Sequence, residues 1–143
     1  WESTRSLATA LGVAEAVDFP GVITQDQVAE RLRHVRAFVQ HSVITRDNDH
    51  EGTPLSILEA MASGLPVIAT RHAGIPDVVE HEVSGLLCAE GDVQAMAVHM
   101  NTLGNDPALA ARMGKSGRER VEKHHQMKPS LIALERIITD GIA

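Results

Sequence analysis

The chain has no tyrosine, one tryptophan and two phenylalanines, so aromatic side chains make up 2% of its 143 residues. Exposed rings on which sugars or bases stack are therefore not available, which argues against a lectin-like platform and against a single-strand nucleic-acid binder. There is one cysteine, Cys88, so no internal disulfide can form, and a reducing cytosol is the expected compartment. Long apolar runs are missing, so no stretch reads as membrane-spanning, and no secretory signal is visible. Positive charge is in deficit: 13 Lys and Arg stand against 19 Asp and Glu, a net charge of -6. Without clustered basic residues to neutralise phosphates, no nucleic-acid partner is expected.

What is present is an ordinary soluble composition, 43% hydrophobic and 22% charged, at the length of one domain. Residues 1–11 read as a helix stopped at Gly12, and Ala16 to Phe19 as a short strand closed by Pro20-Gly21. Thr24 and Gln27 form a capping-box pattern opening a helix through Leu32. Arg36 to Gln40 is the next strand. Thr53-Pro54 reads as an N-cap followed by proline in the first helical position, opening a helix to Ser63 that Gly64 stops. Strands follow at Pro66–Thr70 and Leu86–Cys88, with a helical turn at Pro76–Glu80 between them. Asp92 and Asp106-Pro107 each open a further helix.

This alternation of short apolar strands with helices predicts an α/β fold: a Rossmann-like open parallel sheet with helices on both faces. We expect one domain over residues 1–143. Such a sheet normally leads with a strand, whereas this chain begins in a helix, so the first βα unit is expected to be missing. The sheet edge left exposed would then favour pairing with a second copy.

The chemistry concentrates between Asp47 and Pro76. In a doubly wound sheet, ligands sit outside the carboxyl ends of the strands, where helix N-termini point. The N–H groups near Leu55 and Ser56, with the Ser56 hydroxyl, suit an anion such as a phosphate. Gly52 permits close backbone approach, and Pro54 fixes the first turn. Glu51 and Glu59 flank that position, and a carboxylate accepts two hydrogen bonds in one plane, which suits a vicinal diol. Each carboxylate taken alone reads equally as surface or as a helix-dipole partner; together with the anion site they describe a nucleotide-sugar site.

The run Glu51-Gly52-Thr53-Pro54-Leu55-Ser56-Ile57-Leu58-Glu59, continuing to Thr70, resembles the E-x7-E region of glycosyltransferase family 4, the group 1 retaining enzymes with the two-domain GT-B fold. Ala73-Gly74-Ile75-Pro76-Asp77, Ser84-Gly85-Leu86-Leu87, Gly91-Asp92 and the upstream Val17-Asp18-Phe19-Pro20-Gly21-Val22 agree with it in order and spacing. The resemblance covers essentially the whole chain as most of the family's C-terminal, donor-binding domain.

The resemblance implies a nucleotide-diphosphate sugar donor, such as a UDP-, GDP- or ADP-sugar. Glu59 would hold the donor ribose, and Glu51 would contact the transferred sugar as the catalytic carboxylate. Backbone from Gly52, Thr53, Pro54, Leu55 and Ser56 would hold the sugar hydroxyls and the diphosphate. Val22 and Ile23 would line the nucleobase, and Ser42 matches a serine near the site. The acceptor is expected to be a glycan or lipid-linked intermediate of polysaccharide or glycolipid synthesis, and the protein cytoplasmic, with a peripheral place at the inner face of the membrane as a second option. No cofactor is expected.

Two departures stand out. The Arg and Lys that the family brings to the diphosphate from its first strand and helix have no match here, and neither does the acceptor-binding N-terminal domain. The chain alone is therefore expected to be inactive. Pro54 stands where many members carry glycine. Two rival readings follow the same residues: a GT-B sugar-nucleotide epimerase or hydrolase, or a non-catalytic nucleotide-binding module.

Among eight histidines, His41, His50 and His72 fall near the expected crevice, but no pair has the i, i+4 spacing of a helical zinc site, and no metal is expected. His72 is retained as a sugar or acceptor contact. The basic residues Lys115, Arg118, Arg120 and Lys123 alternate with Glu119 and Glu122 and read as a solvated face.

Overall fold

The computed structural model describes residues 2–44 and 54–125. The chain divides into two compact units, the first ending at Glu30 and the second beginning at Arg31. In the first, helix α1 (Glu2–Ala10) is followed by a 3₁₀ turn at Ala14–Ala16 and an extended segment leading to α2 (Gln25–Leu32). The predicted strand at Ala16–Phe19 does not form. Val17 is 40% exposed, and the Arg5 guanidinium, 5.2 Å from the Phe19 ring centroid, covers that ring in place of a partner strand. The capping box is realised: the Thr24 N–H donates to Gln27 Oε1 at 2.9 Å and the Gln27 N–H to Thr24 Oγ1 at 3.3 Å.

The second unit holds a parallel sheet of β1 (Phe38–Gln40), β2 (Val67–Thr70) and β3 (Gly85–Cys88), in that order. Helix α3 (Leu55–Ala62) and the short α4 (Ile75–Val78) fill the crossovers, and α5 (Val93–Asn105) and α6 (Pro107–His124) follow. Strand alternation divides the core in two. Val67, Ala69 and Leu87 face Ile57, Ala60 and Met61 of α3, whereas Ile68, Leu86 and Cys88 face Met96 and Leu103 of α5 with Ala110 and Met113 of α6. Strands β2 and β3 are thus buried on both faces, the arrangement expected of an α/β Rossmann-like fold, whereas β1 leaves Val39 39% exposed.

Local signals fix the helix ends. Asp92 accepts from the Ala95 N–H at 2.9 Å and Asp106 from the Leu109 N–H at 2.8 Å, each satisfying an orphan donor of its helix. Gly64 ends α3 at φ +79°, a conformation that costs glycine little. Helix α6 then crosses this turn so closely that a Cβ at Gly114 would collide with the Gly64 carbonyl oxygen. One boundary differs from expectation: Pro54 is itself the N-cap of α3 (φ -62°, ψ 128°), not its first helical residue, and its carbonyl accepts the Ile57 N–H at 3.1 Å.

Candidate functional site

All three strands run the same way, so the loops after Gln40, Thr70 and Cys88 meet at one edge of the sheet, where ligands of open α/β folds bind. Side-chain hydrogen bonds join these loops. At the end of β1, the Ser42 N–H donates to Thr70 Oγ1 at 3.0 Å, and the Thr70 hydroxyl donates back to the Ser42 carbonyl at 2.6 Å. Both residues are buried.

Gln40 extends the network toward α3. Its Oε1 accepts from the Ser56 hydroxyl at 2.7 Å, and its Nε2 donates to Ser42 Oγ at 3.3 Å. Two of the predicted site residues, Ser42 and Ser56, are therefore coupled through a third that the sequence reading passed over. The Ser56 proton is engaged by Gln40, so of the groups predicted for an anion at this helix start the backbone N–H groups come before the hydroxyl. The N–H groups of Leu55 and Ser56 precede the first intrahelical bond, and the positive end of the helix dipole adds to them. Glu59 is exposed one turn further along α3, on the face of Leu55 and Ser56. The predicted carboxylate Glu51, with Gly52 and Thr53, lies outside the described residues, as does His50.

His72 lies deeper than a simple surface contact would require, at 1% exposure. Its Nδ1 is 2.8 Å from Glu90 Oε1, and Glu90 Oε2 accepts the Ile44 N–H at 3.0 Å. These bonds, with the His72 and His41 rings nearby, hold the Glu90 carboxyl below its ordinary range; the Ile44 bond is the largest cause and the His72 bond the next. Gln40, Thr70 and Glu90 were not singled out in the sequence. The signal available for the first two was position: a polar residue ending an otherwise apolar strand at the ligand edge.

Val22 and Ile23 belong to the first unit. Val22 is fully exposed and lines, with Glu2, Arg5 and Gly21, a cavity of about 330 Å³. Among the described residues no group of three or more His, Cys, Asp or Glu could hold a metal ion, and no helix is long and apolar enough to cross a membrane. The basic residues of α6 are largely neutralised in pairs: Lys115 with Glu119 at 3.8 Å, Arg118 with Glu122 at 2.9 Å and Arg120 with Glu80 at 3.4 Å.

Comparison with known proteins agrees with the fold. Residues 2–120 match the family described as glycosyl transferases group 1. The amylovoran biosynthesis glycosyltransferase AmsK of Erwinia amylovora is 37% identical over 108 residues, 76% of this chain and 26% of AmsK. The glycosyltransferase WcaL of Escherichia coli K12, whose name ties it to colanic acid biosynthesis, is 36% identical over 124 residues, 85% of this chain and 30% of WcaL. The sucrose-phosphate synthase structure from Thermosynechococcus elongatus superposes with a TM-score of 0.83 at 27% identity, covering 99% of this chain and 34% of that one. The chain spans between a quarter and a third of the length of these sequence relatives. By its match across residues 2–120, and with the parallel sheet and loop edge described above, the chain belongs to the group 1 glycosyl transferases.

Proposed function

We propose that the chain is the donor-binding half of a retaining, family 4 glycosyltransferase that binds a nucleotide-diphosphate sugar and transfers its glycosyl group to a polysaccharide or glycolipid acceptor. The observation that carries this reading is the start of α3. Its N–H groups, the Ser56–Gln40–Ser42 network and Glu59 lie at the ligand edge of a parallel sheet. That arrangement offers an anion site with a diol-binding carboxylate one helical turn away. The names of AmsK and WcaL support the polysaccharide direction.

Cleavage of a nucleotide sugar builds negative charge on the leaving diphosphate and positive charge on the sugar ring. Fixed helix N–H groups stabilise the first without reorganising during the reaction. Glu51 is assigned to the second, orienting the sugar and favouring the oxocarbenium-like state, and Glu59 to the ribose hydroxyls. Val22 and Ile23 are assigned to the base. No metal is required where helix dipole and basic residues carry the diphosphate charge; the basic pair would come from the part of the complete protein that also supplies the acceptor domain. We place the protein in the cytoplasm, in keeping with its one cysteine, a buried free thiol. Among the described residues the sheet ends on β1 and β3, and its exposed edge is assigned to pairing with a second copy of the chain.

Calorimetric titration of the complete protein with UDP, GDP and ADP tests the reading. One nucleotide is expected to bind, with affinity reduced about tenfold or more by Glu59→Ala, the cost of losing hydrogen bonds to a charged group. Binding that Glu59→Ala leaves intact refutes the ribose assignment, and no binding across the panel refutes the site.

A further inference from the structure

Positive charge is scarce in this chain, yet the turn between α2 and β1 concentrates it. Residues 31–36 read Arg-Leu-Arg-His-Val-Arg, and no Asp or Glu occurs between Glu30 and Asp47. Arg31 lies in the last turn of α2, where a cation answers the negative end of the helix dipole. That effect fades within a turn and does not account for Arg36, which lies well past Leu32, the end of the helix. Arg33, His34 and Arg36 instead line a cavity of about 540 Å³. The rest of its lining is largely apolar: Leu65 and Pro66 ahead of β2, and Pro107, Ala110 and Ala111 in the first turns of α6. Among the described residues no carboxylate lines it. Asp106, beside Pro107, is engaged by the Leu109 N–H at 2.8 Å. Backbone dipoles do not set the sign either, because α3 ends and α6 begins at this cavity with opposite partial charges. The walls are fixed: the Phe38 N–H donates to the Pro66 carbonyl and the His34 N–H to the Arg31 carbonyl, each at 3.0 Å, and Leu65 and Ala110 are buried.

We propose that this cavity is a second binding site, for a molecule that joins a phosphate group to an apolar body. The guanidinium groups of Arg33 and Arg36 carry planar sets of donors that match phosphate oxygens, and the His34 ring adds another donor. Two cations around one volume repel each other, and a bound anion removes that cost. The apolar lining takes the rest of the molecule, and the volume falls in the range of about 300–1,000 Å³ typical of small-molecule sites. Arg33 and His34 also interact with other groups of the chain, so Arg36 is the residue whose removal isolates the cavity. The site is separate from the proposed donor site. Strands β1 and β2 begin at the cavity, with Phe38 and Val67, and end at the ligand edge with Gln40 and Thr70. The phosphate belongs to a soluble phosphate ester or to a lipid headgroup; the recognising chemistry is the same, and the two sources are told apart by experiment.

The test uses the complete protein with two probes. Phenyl phosphate is titrated by calorimetry, and co-sedimentation is measured with phosphatidylcholine vesicles with and without phosphatidic acid. Whichever of UDP, GDP and ADP binds is present at saturation, so that the donor site is filled; if none binds, no donor site competes and the titration stands alone. Binding of phenyl phosphate identifies a soluble ester, and binding that requires phosphatidic acid identifies a headgroup. In either case Arg36→Ala is expected to weaken binding about tenfold or more, the loss of charge-assisted hydrogen bonds. Ala111→Glu, which sets a carboxylate on the exposed start of α6 beside the cavity, is expected to weaken it similarly. Arg112→Ala removes the same charge from an exposed position of α6 outside this cavity and is expected to change affinity less than about twofold. Binding of neither probe overturns the proposal, as does full affinity in Arg36→Ala. An equal loss in Arg112→Ala also overturns it, since general surface charge would then be the cause. Inorganic phosphate binding as tightly as phenyl phosphate overturns the role of the apolar lining.

Discussion

Replacing Thr70 by valine isolates the contribution of one hydroxyl to the ligand edge of the sheet. The two side chains have nearly the same shape and are both β-branched, so strand preference and packing volume change little. What disappears is an oxygen that serves both main-chain groups of Ser42, accepting at 3.0 Å and donating at 2.6 Å. Thr70 is 0% and Ser42 8% exposed, so water does not readily replace it. Leaving two buried backbone groups unpaired costs about 1–3 kcal/mol each, and the added methyl returns roughly 0.8 kcal/mol. We expect Thr70→Val to destabilise the chain by about 2–4 kcal/mol. With a urea slope of about 2 kcal/mol/M, the midpoint should fall by about 1–2 M. Thr70→Ser keeps both bonds and removes one methyl, for a cost of about 1 kcal/mol. Urea unfolding followed by circular dichroism measures both variants. A valine variant within about 0.5 kcal/mol of wild type, or a serine variant as damaged as the valine one, refutes the reasoning.

Gly114→Ala should destabilise, although alanine is the better helix former by about 1 kcal/mol. The new methyl meets the Gly64 carbonyl, and overpacking of this kind costs about 1–3 kcal/mol or more. A melting temperature raised by the substitution would show that α6 can move off the Gly64 turn. Acid should weaken the fold partly through Glu90. Its carboxyl is held below the ordinary value of 4.5 by the Ile44 N–H first and by His72 second, so the unfolded chain binds its proton more readily than the folded one. The stabilisation is full above about that value and is lost as pH falls through the lower folded one. Glu90→Gln should flatten this part of the stability–pH curve, and an unchanged acid limb would contradict the assignment.

Helix ends were legible because their causes are local. Thr24 with Gln27, and Asp92 and Asp106 with the N–H three residues on, are signals contained within four residues, and each forms the predicted bond. The strands of the sheet were legible because a strand buried on both faces is a short apolar run. The segment at Ala16–Phe19 resembles such a run but lacks a pairing neighbour among the described residues, and local preference alone does not make a strand. At the site, Ser56 was found from its place at the start of a predicted helix, and Ser42 through the family resemblance. Thr70 and Glu90 were missed because their partners are distant in sequence: Thr70 meets Ser42 from 28 residues away and Glu90 meets Ile44 from 46, and no periodicity encodes those pairings. The position of His72 near the crevice was readable, but its burial was not, since histidine after a strand is as compatible with solvent as with a buried carboxylate.

The two ends of the sheet are held by different physics, and the proposed function accounts for the difference. At the end where α3 turns into β2, order comes from close approach, with Gly114 of α6 against the Gly64 carbonyl and no side chain between them. The ligand end cannot be closed that way. Under the proposed function, apolar packing there would cover the N–H groups of α3 assigned to an anionic substrate, and a polar ligand would not repay the desolvation. Its loops are therefore joined by hydrogen bonds running beside the helix start: Thr70 to Ser42, Gln40 to Ser56, and His72 through Glu90 to Ile44. Such bonds fix backbone position without engaging the N–H groups that open α3. The consequence is an opposite tolerance at the two ends. Volume decides the outcome at Gly114, where one methyl is too many. Donor and acceptor pattern decides it at Thr70 and Glu90, where serine and glutamine should serve and shape-matched apolar residues should not.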